Sequence, residues 1–300
     1  MQFIEKIVKE ICDENDIKFE EFCDGFCIRL SKNNKLTYIY DSIFEENSSS
    51  TYKILKDKSA VYEILSHENI PAVEHFYFYP QKDKYDDFFV TANALLKKYN
   101  KLVLKYNEGM SGNNVFLVDN EKTLKLKAMQ IINKYNSITI SPFYEIKHEY
   151  RVIFLNNKAR LIFDKVRPFV VGNGIDTIEQ LIKQKFKNKI KPDDSIDVKS
   201  IPKNGETVLL SWRHNLNFGA NPEELNNEKT FKILKKIAQD SAKTLKIKFA
   251  SIDIVETDEN QFKVLEINGS VTTEKFASFS NQNYEKVKSI YKEVVFELLK

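Results

Sequence analysis

The residues best suited to chemistry lie near the C-terminal end of the chain. Asp253 stands in Ser-Ile-Asp-Ile-Val, and Glu266 and Asn268 stand in Val-Leu-Glu-Ile-Asn-Gly. Both stretches have strand character, and strand residues two apart project from the same face, so Glu266 and Asn268 point together. If the two strands pair through the turn Asp258-Glu259-Asn260, Asp253 faces them. Two carboxylates and an amide oxygen form a hard-oxygen set suited to Mg²⁺, which favours carboxylate and phosphate ligands. A solvent-facing polar stripe is the alternative, since antiparallel sheets often expose one face. The apolar flanks Ile252, Ile254, Leu265 and Ile267 argue against it.

Three further stretches are weaker individually. Lys105 ends the apolar run Leu102-Val103-Leu104 and precedes a loop containing Gly109, Ser111 and Gly112. An ammonium followed by a glycine loop suits phosphate oxygens, although order and spacing exclude a Walker motif. Glu149 and Arg151 share a strand face and offer an acceptor for ribose hydroxyls beside a fork for phosphate or carboxylate; a surface ion pair is the plain alternative. Arg213 and Asn215 flank His214, which is either a general base or a hydrogen-bonded structural histidine. No Ser or Cys stands in a nucleophile-elbow context.

The elements that must position these residues follow from periodicity. Phe3, Ile4, Ile7, Val8 and Ile11 make one stripe of an N-terminal amphipathic helix. Phe26–Leu30 and Leu36–Tyr40 read as strands joined by a polar turn, and Asp57-Lys58 opens a helix ending before Ile70-Pro71. Helices are expected over 91–99, 120–134, 177–186, 227–245 and 284–299, and strands over 102–105, 115–118, 137–140, 251–255 and 262–267. Strands 150–155 and 159–164 form a hairpin about Asn156-Asn157-Lys158. The span 186–204 reads as an exposed polar excursion. Strands and helices interleave through hairpins and crossovers, so the class is α+β or mixed α/β.

Composition bounds the partners. The 300 residues carry 46 basic and 43 acidic side chains spread along the chain, a balance that does not imply nucleic-acid binding. No apolar stretch reaches the ~20 residues of a membrane span. Cys12, Cys23 and Cys27 show no metal-type pairing and read as reduced thiols. A cytoplasmic protein is expected.

Taken in order, Asp57-Lys58 before a helix, strand-Lys105 with its glycine loop, Glu149-x-Arg151, Arg213-x-Asn215, Asp253 and Glu266-x-Asn268 resemble the ATP-grasp superfamily. The stretch RPFVVGNGIDTIEQLI points within it to the branch of cyanophycin synthetase, ribosomal-protein glutamate ligase and bifunctional glutathione synthetase. The resemblance covers roughly Ile54 to Phe276. It implies an α+β ATP-grasp fold, with two lobes clamping ATP: a short N-terminal lobe (1–56), a small lobe with the glycine loop (57–140) and a large lobe with the metal and substrate site (141–300). By this resemblance Lys58 and Lys105 contact ATP phosphates under the loop of Gly109, Ser111 and Gly112, and Glu149 holds the ribose. Asp253, Glu266 and Asn268 hold two Mg²⁺ ions, with Mn²⁺ an alternative. Arg151, Arg167, Arg213 and Asn215 face the γ-phosphate and the acyl substrate. The implied reaction joins a carboxylate to an amine of small-molecule or peptide substrates through an acyl phosphate, in a family where homo-oligomers are common. A non-catalytic ATP-binding module and a small-molecule kinase share the clamp and are the alternatives.

Overall fold

The structure, a computed structural model, describes residues 3–79, 84–109, 112, 114–135, 137–187 and 190–300. The expected Ser111 lies outside the described residues.

The chain opens with helix α1 (Phe3–Glu14), whose apolar stripe packs under an antiparallel meander of β1 (Lys18–Phe22), β2 (Cys27–Lys32), β3 (Lys35–Tyr40) and β4 (Ile43–Phe44). Strand β1 has adjacent glutamates, Glu20 and Glu21, that break the alternation of its two phenylalanines, so periodicity alone gives it no signal; its pairing to β2 makes it a strand. Two short helices follow, α2 (Ser49–Lys56) and α3 (Lys58–His67). Asp57 joins them, ending the first and capping the second through Oδ1, which accepts from Ala60 N at 2.9 Å.

The small sheet has the order β5 (Phe76–Phe78), β8 (Ile138–Pro142), β6 (Leu102–Lys105), β7 (Val115–Val118). Helices α4 (Tyr85–Tyr99) and α5 (Glu121–Ile132) share its hydrophobic cluster, in which Leu102, Leu104, Ala128 and Ile138 are buried. Helix α4 begins six residues before the expected start at 91, because Phe88 packs into this core and draws the preceding turn into the helix. Residues 143–145 lead from β8 into the large lobe, and Phe143 N donates to Lys101 O at 3.1 Å.

The large sheet is antiparallel with the order β13 (Asn221–Glu224), β10 (Lys158–Val166), β9 (Ile146–Leu155), β14 (Phe249–Thr257), β15 (Phe262–Asn268). The expected hairpin about Asn156-Asn157 joins β9 to β10, with both asparagines at positive φ. A satellite of β11 (Phe169–Val171), β12 (Thr207–Leu209) and α6 (Ile178–Phe186) projects from it. Helix α7 (Glu228–Leu245) covers one face, and α8 (Glu274–Ala277) and α9 (Asn281–Leu298) close the chain.

Strand alternation divides the large sheet cleanly. Val152, Phe154, Ile252 and Ile254 face α3 and α7. On the opposite face, Ile153, Leu155, Phe163 and Phe249 join α1, α9 and the N-terminal meander in one core. The same face carries charge at its other end, where Glu149, Arg151, Lys165 and Asp253 form the floor of a cleft. The span 186–204 is not wholly an excursion: Ile196 packs against the α6 cluster, and Asp193 accepts from Trp212 N at 2.7 Å. Residues 188 and 189 of that span lie outside the described residues. Among the described residues no helix is long and apolar enough to cross a membrane.

Candidate active site

A cleft of about 470 Å³ lies between the small and large sheets. Its floor is a charge lattice set by strand register. Asp253 on β14 stands between Arg151 on β9 and Glu266 on β15, so three strands bring three charged residues side by side. The guanidinium of Arg151 grips Asp253 with two bonds of 2.8 Å, and Lys165 Nζ reaches the same carboxylate at 2.9 Å. Lys165 also pairs with Glu149, its neighbour across the β9–β10 hairpin. Asp253 is fully buried, and Glu149 and Lys165 nearly so. Two cations and two carboxylates out of water are tolerable because each meets an opposite charge.

The protonation tendencies follow from this arrangement. Burial works against the Asp253 charge, but Arg151 and Lys165 outweigh it and hold the carboxyl well below its usual range. Burial likewise opposes the charge on Lys165, and Asp253 and Glu149 overcome it, raising its pKa. Burial pushes the Glu149 carboxyl up to about 7, against the pull of Lys165.

Glu266 and Asn268 share a face at the edge of this lattice, as their spacing requires, with Asn268 Nδ2 donating to Glu266 Oε1 at 3.3 Å. Both are partly exposed to the cleft, and Glu266 forms no ion pair among the described residues. Their oxygens therefore suit a hard cation. The Asp253 oxygens already face Arg151 and Lys165, so a metal ion would reach them only by displacing one of those cations.

The opposite wall is cationic. Lys105 closes β6, is 8% exposed, and has no ion-pair partner among the described residues. Burial first, and neighbouring Lys58 second, lower its pKa to about 8. Lys58 is lowered by burial as well; its ammonium donates to the carbonyls of Asn107 at 3.1 Å and Gly109 at 2.7 Å, at the root of the glycine loop. Asn107 fixes that root, its buried Oδ1 accepting from Ser59 N, Ser59 Oγ and Thr139 Oγ1. Gly112 has φ 73°, and a Cβ there would lie 2.5 Å from Asn215 Nδ2, so only glycine lets the loop rest on the Asn215 turn. Gly269 is needed for a different reason: a Cβ would meet the Tyr52 ring at 2.9 Å, where α2 packs over the end of β15.

Arg213 bridges the two walls. Its Nη2 donates to Val115 O on β7 at 3.0 Å, its Nη1 lies 3.6 Å from Asp193, and its guanidinium sits against Trp212 and Phe218. Asn215 caps the short turn Leu216–Phe218 by accepting from Asn217 N at 2.8 Å. His214 is buried; Nδ1 must donate to the Lys165 carbonyl at 2.8 Å, and burial lowers its pKa to about 4, so it is a neutral prop behind β10.

The structure thus brings together Lys58, Lys105, Gly109 and Gly112 on one wall and Glu149, Arg151, Glu266 and Asn268 on the other, with Arg213 and Asn215 between and Asp253 fully buried behind Arg151 and Lys165. Arg167 is half-buried beside His214 and does not line the cleft. Sequence reasoning misses Lys165, Asn107 and Asp193. Counting the hairpin register back from Asn156 sets Asp164 opposite Glu149; the bulge between Ala159 and Leu161 shifts the pairing by one residue and brings Lys165 there instead, and Asn107 and Asp193 carry no local signal.

Comparison with known proteins bears on the fold that carries this cleft. Residues 164–289 match the RimK-like ATP-grasp domain. The chain is 25% identical over 272 residues to the glutathione biosynthesis bifunctional protein GshAB of Clostridium perfringens, covering 80% of this chain and 34% of that protein. It therefore spans about a third of the length of the curated relatives it matches. Among solved structures, a bifunctional glutathione synthetase from Pasteurella multocida superposes with a TM-score of 0.60 at 14% identity, over 98% of this chain and 44% of that one. A D-alanine–D-alanine ligase from Bacillus anthracis gives 0.54 at 17% identity, over 83% and 68%. The chain has the ATP-grasp fold, and its residues 164–289 are similar to the RimK-like ATP-grasp domain.

Proposed function

We propose that this chain is an ATP-dependent carboxylate–amine ligase that forms an amide or peptide bond through an acyl phosphate. The observation that carries the proposal is the cleft itself. It sets Lys58 and Lys105, which form no ion pair among the described residues, opposite a carboxylate–amide pair, Glu266 and Asn268, with Arg213 spanning the gap. A triphosphate would supply the negative charge that the lysines lack, and Glu266 and Asn268 would hold Mg²⁺, which would neutralise the remaining phosphate charge. Asp253, held by Arg151 and Lys165, would add to that donor set only if one of those cations gave way.

In this reading the N-terminal lobe is 1–56, the small lobe 57–140 and the large lobe 141–300. ATP lies with its base against the hinge near Ser141 and Phe143 and its ribose beside Glu149. The carboxylate of the first substrate attacks the γ-phosphorus, ADP leaves, and the amine of the second attacks the acyl carbon, expelling phosphate and losing a proton. Arg213, Arg151 and Asn215 orient the carboxylate and spread the charge of the transferring phosphoryl group. Arg167 acts at a distance, through His214 and the end of β10. The loop of Gly109 and Gly112, resting on Asn215, keeps water from the acyl phosphate.

The test is ADP release from Mg²⁺-ATP, and then from Mn²⁺-ATP, with pooled amino acids and short peptides, the products identified by mass. ADP release that needs both a carboxylate and an amine, with an amide product, is the expected result. A phosphorylated product that persists without amine indicates a kinase, and ATP binding without turnover across all pairs indicates a regulatory module.

A further inference from the structure

Beyond the phosphate region the cleft ends on the N-terminal meander. Strands β3 and β4 meet in a turn at Asp41-Ser42, with Asp41 at φ 55°. Its backbone is held firmly: Asp41 N donates to Phe26 O at 2.7 Å, Val271 N donates to Ser42 O at 3.3 Å, and the Ser42 and Ser270 hydroxyls bond to each other. The turn is thus docked onto the segment that follows Asn268. Asp41 is exposed and lines the cleft, and its carboxylate has no hydrogen-bond or ion-pair partner among the described residues.

The cleft is therefore polarised along its length. Near the loop it presents Lys58, Lys105 and Arg213; at this end it presents Asp41, Glu274 and Lys275, a net charge of one negative, among the hydroxyls of Ser270 and Thr272. A carboxylate substrate placed with its reacting group toward the cationic region directs the rest of its body to Asp41. Resting on the ligase reading above, we propose that Asp41 is a specificity-determining residue that selects a carboxylic acid bearing an ammonium group. A fixed acceptor facing an ammonium is a charge-assisted contact, and a substrate lacking that group leaves the carboxylate unanswered.

The experiment traps the acyl phosphate with hydroxylamine, so no second substrate is needed: nitrogen attacks the acyl carbon, phosphate leaves, and a hydroxamate accumulates. α-Amino acids and short ω-amino acids are each compared with the corresponding acid lacking the amino group. The expected result is a preference of about tenfold or more in kcat/KM for the amino-bearing acid. Asp41→Asn, which tolerates the same left-handed turn, should abolish that preference through KM, leaving turnover of the des-amino acid unchanged. Equal use of both acids by the native chain, or an undiminished preference in Asp41→Asn, overturns the inference and leaves the ligase reading standing. If no acid of either kind gives hydroxamate although ATP binds, both fall together.

Discussion

The two walls of the cleft solve the same electrostatic problem in opposite ways. On the large-sheet wall every buried charge is answered from within the chain: Arg151 and Lys165 against Asp253, and Lys165 against Glu149. On the small-sheet wall Lys105 is as deeply buried, yet no carboxylate pairs with it among the described residues. The first wall is complete as a folded structure. The second carries a desolvation cost that an anionic ligand would relieve, and the proposed nucleotide site rests on this asymmetry.

The contrast is broken most severely at Asp253. Asp253→Asn leaves Arg151 and Lys165 buried without their shared counter-charge, which should destabilise the fold by about 3–5 kcal/mol, read as a lowered urea midpoint. From sequence alone this substitution is expected to abolish turnover while sparing the fold; the double pairing changes the second half of that expectation. Adding Lys165→Met should recover part of the loss. If Asp253→Asn unfolds at the native midpoint, the floor is not a closed lattice.

Glu266→Gln probes the open edge of the same wall. Because Glu266 pairs with no cation among the described residues, stability should hold while the Mg²⁺ concentration for half-maximal ADP release rises about 10–100-fold. An unchanged Mg²⁺ dependence removes Glu266 from the metal site.

Lys105 sharpens the comparison through pH. Its pKa of about 8 lies below the 10.5 of free lysine, so the unfolded chain binds the extra proton between those values. Stability without ligand should therefore rise as pH climbs from about 8 to about 10.5 and gain nothing below about 8. ATP favours the charged form, so its affinity should fall by up to about tenfold per pH unit above about 8, with proton uptake on binding. Calorimetry in two buffers of different ionisation enthalpy measures that uptake, and Lys105→Met should remove it. The smallest effect belongs to an exposed pair: Lys236→Ala breaks an i,i+4 bridge to Asp240 and should cost no more than about 0.5 kcal/mol in a thermal melt.

Local pattern carries far in this chain. The apolar stripes of α1, α5 and α7, the caps at Asp57, Thr177 and Asn227, and the hairpin turn at Asn156-Asn157 are all decided by neighbours a few residues apart. The same short-range geometry sets Glu266 and Asn268 on one face, because strand periodicity is local. Strand β1 escaped because its stability comes from β2 rather than from its own residues.

What only the tertiary structure decided is which charges meet. Lys165 reaches Glu149 through hairpin register and Asp253 across two strands, and Asp193 meets Arg213 only after the chain folds back over a long span. The lack of a carboxylate partner for Lys105 among the described residues and the docking of the Asp41-Ser42 turn against Ser270 arise from distant parts of the chain meeting at one cleft. Residue type states what a group can do; its desolvation and its partners come from parts of the chain that no local window contains.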